Sequence, residues 1–115
     1  NAVEGCVRET WAALLAAHQA EHAADPELRA VMRGIAADEA RHAELAWAID
    51  AWLHTQLGPD AHAEIAAARQ SAAAAVVAGV AAGSPAPALV HDAGVPVRAR
   101  AVRLVSGLAD ALWAA

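Results

Sequence analysis

Apolar residues recur at alternating intervals of four and three through the second quarter of the chain. Leu28, Met32, Ile35, Ala46, Ile49 and Leu53 keep this spacing, with Glu39 and His42 occupying the two central slots. A 4-3 repeat of this kind predicts the buried seam of a bundle helix. The punctuation around it predicts the ends. Asp25-Pro26-Glu27 supplies an N-cap, a proline at the first helical position and an acid in the first turn. Gly58-Pro59-Asp60 stops this helix near Leu57 and starts a third, which runs to about Ala82. A first helix covers about Ala2 to Ala23. The short break at Asp25 makes the first two helices antiparallel neighbours. Gly83 to Pro96, rich in proline and glycine, reads as a loop, and a fourth helix runs from Val97 to about Trp113. The expected organisation is therefore a hairpin over 1–57, a helix over 58–82, a loop over 83–96 and a terminal helix over 97–115.

Composition agrees with an all-α chain but limits its core. Ala, the best helix former, makes up about a third of the 115 residues, while Phe and Tyr are absent. Small side chains bury little apolar area each, so the helices must approach closely or share burial with a partner. A formal net charge of −5 argues against a nucleic-acid partner. The single cysteine, Cys6, excludes an internal disulfide. The uncharged run from Gln70 to Val90 is broken by glycines and prolines and is mostly Ala, so no transmembrane segment is expected there. All eight basic residues are Arg, a bias that fits a GC-rich bacterial genome and leaves the compartment, cytoplasmic or envelope-associated, open.

The chemistry lies in Glu39-Ala40-Arg41-His42. Residues three apart share a helix face, so a carboxylate and an imidazole converge on one point. An unpaired carboxylate in a seam is costly, and a cation offsets that cost. Mixed oxygen and nitrogen donors suit iron or manganese. The bland alternative is that Glu39 and His42 bond to each other or to Arg8.

Three stretches carry a resemblance: Glu4-Gly5-Cys6-Val7-Arg8-Glu9-Thr10, Asp25-Pro26, and Ala37-Asp38-Glu39-Ala40-Arg41-His42-Ala43-Glu44-Leu45. Together they resemble one half of a ferritin-like or rubrerythrin-like di-iron carboxylate domain. The resemblance covers roughly residues 1–57 and implies a fold that is half of a four-helix bundle. It implies a dinuclear iron (or manganese) centre and the handling of oxygen, peroxide or iron. Glu39 would bridge two metals, His42 would be a terminal ligand, and Glu9 or Glu4 would contribute from the facing helix. No second Glu and Glu-x-x-His follows, since Glu64 and His62 stand in the wrong order and only Asp110 lies on the last helix. A second ferritin-like hairpin is therefore expected, from an upstream half or from another copy of the chain.

Glu9 and Glu4 are separated by two arguments that disagree. Glu9 and the Glu39/His42 pair lie at equal distances from the Ala24–Asp25 turn. Seam periodicity favours Glu4, which shares a stripe with Val7, Trp11, Leu14 and His18, whereas Glu9 shares one with small residues (Ala2, Cys6, Ala13, Ala16, Ala20). On an α-helix the two would be about 7.5 Å apart along the axis and about 140° around it. Glu9 ranks ahead, because small neighbours let helices approach a metal.

Two other function classes compete. One is a degenerate, non-catalytic helical module acting in structure or interaction. The other is a zinc peptidase fragment, because His18-Gln19-Ala20-Glu21-His22 matches H-x-x-E-H. That reading lacks a downstream third ligand.

Overall fold

A computed structural model describes residues 1–114. Among them there are five α-helices and no strand: α1 (Thr10–His22), α2 (Pro26–Gln56), α3 (Pro59–Ala82), α4 (Pro87–Ala93) and α5 (Arg98–Leu108). Each end of this series carries a π-helical turn, Glu4–Glu9 running into α1 and Ala109–Trp113 continuing α5. The all-α expectation holds. The end of the 97–115 segment, Ala115, lies outside the described residues.

The hairpin turn is built as its residues predict. Asp25 Oδ1 accepts a hydrogen bond from the Glu27 amide at 2.9 Å, and Pro26 occupies the first helical position where no amide is needed. The Arg29 guanidinium donates to the Ala23 and Ala24 carbonyls at 2.7 and 3.1 Å. These carbonyls at the end of α1 would otherwise lack partners. Small side chains line the contact between α1 and α2, with Ala16, Ala20, Ala43 and Ala46 all buried.

Two expectations are corrected. The 83–96 stretch is not all loop, because Pro87 starts the short helix α4. Gly94, with φ +69°, ends that helix against the end of α1. A Cβ at Gly94 would lie 2.4 Å from the Ala23 nitrogen, so only glycine fits there. The end of α4 is laced to the end of α1 and the turn after it through Gln19 Nε2 to the Ala93 carbonyl (3.1 Å) and the Ala24 amide to the His91 carbonyl (3.2 Å). The second correction concerns the α2 seam. Of its eight expected members only Ala46 is buried, and Ile35 and His42 are exposed. The face turned to α1 instead runs through Ala36 and Ala43, one residue further along and so about 100° around the helix.

The main core lies on another side of the hairpin. Val7, Ala73, Val105 and Trp113 form it, with Trp11, Trp47, Val76, Val77 and Leu108 packed around. Trp113 is 2 % exposed and its indole N–H donates to the Cys6 carbonyl at 2.9 Å. Helix α3 is long and apolar enough to cross a membrane by length and composition alone, yet in this fold it packs on α5 and the two π-helical turns.

Candidate metal centre

The N-terminal π-helical turn positions the first candidate ligand, Glu9. Amides of Cys6 and Arg8 donate to the Asn1 and Val3 carbonyls at 3.0 and 3.1 Å, five residues back rather than four. Such turns are rare and concentrate at functional sites. Inside this one, Gly5 lies against α2 so closely that a Cβ there would come within 2.3 Å of the Ala46 Cβ. The missing side chain is what lets the backbones meet. Glu9, closing the π-helical turn, is carried to the level of Glu39 and His42.

The outcome is one convergent group. Glu9, Glu39 and His42 each offer a ligand atom, and these atoms lie within 4.8 Å of one another. Among the described residues no other set of three or more His, Cys, Asp or Glu side chains converges in this way. Glu9 and Glu39 are half-buried, while the His42 side chain is 58 % exposed. His42 Nδ1 stands 3.9 Å from Glu39 Oε2, beyond hydrogen-bond length, so the pair does not satisfy itself. Ligand atoms a few ångströms apart around one point fit oxygen and nitrogen donors to a divalent ion, with metal–ligand lengths near 2 Å.

Glu4 does not join them. Its exposed carboxylate pairs with Arg8 four residues on. The π-helical turn removes the α-helical register on which the 140° separation rested, but the two glutamates still meet different neighbours. Arg8 is therefore occupied by Glu4 rather than by Glu39 or His42.

The H-x-x-E-H string is used structurally. The His18 and His22 rings stack with centroids 4.0 Å apart. His18 Nδ1–H donates to the Gly94 carbonyl at 2.8 Å, and His22 Nδ1–H donates to the His18 carbonyl at 2.9 Å. His18, Glu21 and His22 do not form a convergent set of donors among the described residues. Burial holds the His18 imidazole below the ordinary histidine pKa, with the neighbouring His22 and Arg100 acting in the same direction. The Gly94 carbonyl and Glu21 oppose them.

Sequence reasoning missed what braces the centre from behind. Arg69 of α3 is buried, pairs with Asp50 of α2 at 3.2 Å, and stands over the Trp47 ring at 5.6 Å. The Trp47 indole N–H donates to Thr10 Oγ1 at 3.1 Å, tying α2 to α1 beside Glu9. Its only signal was a lone Arg in an Ala-rich helix. Cys6 is fully buried, with its thiol directed at the Ala46 carbonyl at 3.6 Å. Burial first, then the Asp50 and Glu9 carboxylates, push the thiol above its ordinary pKa against Arg69 and the N-terminal amine.

No family model, curated protein or solved structure matches this chain.

Proposed function

We propose that Glu9, Glu39 and His42 are half of a dinuclear carboxylate–histidine metal centre in a ferritin-like hairpin, binding iron or manganese. The observation that carries the reading is the convergence of these three ligand atoms within 4.8 Å. They come from two helices, in the Glu and Glu-x-x-His arrangement of di-iron bundles. Glu39 sits between the α1-facing side of α2 and the side that bears His42, and would be the carboxylate shared by the two ions. His42 would supply an imidazole nitrogen, and Glu9 a carboxylate from the facing helix. When bound, such a metal pair supplies redox chemistry toward oxygen or peroxide, or a seat for iron itself. The chain's own side chains hold the ions, leave the His42 side open to solvent, and exclude water on the Ala43–Ala46 side. A half-set of this kind calls for a second hairpin bearing the same donors.

Titration with ferrous iron and with manganese, followed calorimetrically, tests the assignment. Glu9→Ala, Glu39→Gln and His42→Ala are each expected to weaken binding by at least about tenfold. Glu4→Ala is expected to leave it unchanged. Wild-type affinity in Glu9→Ala, or an equal loss in Glu4→Ala, overturns the assignment. A non-catalytic helical module is the reading that remains if no variant alters metal binding.

A further inference from the structure

The exposed side of α2 is apolar along nearly its whole length. Val31 is 56 % exposed, Ile35 41 %, Leu45 61 % and Trp52 59 %, and half-buried Ile49 lies between the last two. With Asp38 and His42 they follow a 4-3 spacing, the seam of a helix that expects another helix against it. This stripe lies about 100° around α2 from the Ala36–Ala43 face that packs on α1. A helix in a bundle of four has two neighbours in such a relation, with the residues between the two faces pointing at the bundle centre. Glu39 is such a residue here.

We infer that this stripe seats a second copy of the chain, packed antiparallel across α2 about a two-fold axis at His42. The proposal rests on the half-site reading above for what it completes, and on the stripe for where the copy sits. Three observations favour a second copy. First, the apolar arms are of equal length: Val31 and Trp52 lie eleven and ten residues either side of His42, and Ile35 and Ile49 seven either side. An isologous interface places the same patch on both partners, so an axis at His42 pairs the whole stripe with itself. An axis elsewhere leaves one apolar end uncovered. Second, the axis coincides with the half-site. Two copies of Glu9, Glu39 and His42 bring four carboxylates and two imidazoles together, the donor count of a complete dinuclear bundle site. Third, the area suffices. The apolar side chains offer several hundred Å² per copy on a helix about 46 Å long. Stable interfaces need about 800 Å² per partner, which the flanking polar residues complete.

The test is sedimentation of the intact chain with and without ferrous iron, joined to register-specific crosslinking. The mass should double, and Leu45→Glu with Trp52→Glu should restore the monomer with unchanged helical circular dichroism, since both side chains are exposed. Under mild oxidation, a chain carrying Ile35→Cys should crosslink to a chain carrying Ile49→Cys and not to its own kind. Both are made in a Cys6→Ala background. A monomer at all concentrations, a dimer that survives the Leu45→Glu/Trp52→Glu change, or crosslinking of position 35 to itself each overturns the proposal. A dimer with the expected crosslink that binds no metal keeps the docking surface and removes the metal reading. A monomer that binds one metal ion, and loses it in His42→Ala, does the reverse.

Discussion

At the scale of single residues, the decisive contrast is between two glutamates of one helical segment. Glu9 meets Glu39 and His42, whereas Glu4 pairs with Arg8. Sequence spacing alone gave each a claim, since one satisfied the distance to the turn and the other the apolar stripe. Distance from the turn is the stronger rule, because antiparallel pairing fixes the level of each residue while a single π-helical turn alters its angle. The histidines of the discounted H-x-x-E-H string have a consequence of their own. His18 is held neutral by burial, so its folded pKa lies below the unfolded value of about 6.5. The unfolded chain then binds the extra proton first as pH falls. Stability contributed by His18 is full above pH ~6.5 and is lost as pH falls through the interval down to its folded pKa. Thermal unfolding from pH 7.5 to 5 should show this decline, and it should be smaller in His18→Gln. An identical slope in the two proteins would show that other groups set the acid response.

At the scale of elements, the junction of the π-helical turn with α2 governs the site. Gly5 meets Ala46 with no room for a methyl group. Gly5→Ala must push the start of the first helix away from α2, at a cost of about 1–3 kcal/mol for overpacking. Glu9, four residues on, moves with it, so metal affinity should fall together with stability. The swap Gly5→Ala with Ala46→Gly removes the clash and should recover most of the affinity. It should remain about 1 kcal/mol less stable, for a glycine in the interior of α2. Urea unfolding and iron titration of the three proteins check both parts. Equal affinity in wild type and Gly5→Ala would mean that the close approach does not position Glu9.

At the scale of the whole molecule, the core is thin and set apart from the Glu9, Glu39 and His42 group. Among the described residues the largest fully buried side chains are Trp113, Val7, Val105 and Cys6. Val7 and Trp11 are two residues either side of Glu9 and so cannot share its face. That separation lets the Glu9 face stay open while α3, α5 and the last π-helical turn close over the other. Trp113 joins the chain's end to its beginning through the Cys6 carbonyl. Trp113→Ala should therefore cost about 3–5 kcal/mol, a large share of the stability of a chain this size. The midpoint of urea denaturation measures it. The Cys6 thiol, raised in pKa and inaccessible in the native state, should become reactive toward a thiol reagent at the same urea concentration. A change under 1 kcal/mol would show that the terminal turn is not part of the cooperative unit.

The amino-acid sequence by itself determined the helices, the Asp25-Pro26 turn and the shared face of Glu39 and His42, because capping residues, prolines and 3.6-residue spacing act over one or two turns. It also placed Glu9 at the right level, since an antiparallel hairpin with a short turn leaves little freedom of register. The tertiary structure alone decided which face of α2 meets α1, and it turned His42 and Ile35 outward where the repeat had put them inside. A 4-3 repeat records the sum of the faces a helix must bury, and it does not say which neighbour covers which. Only the fold, too, decided that Gly5 lies on Ala46, that the first turn widens to a π-helix, and that Arg69 reaches Asp50 behind the site. Each of these depends on contacts between residues distant in the chain, for which local spacing carries no signal.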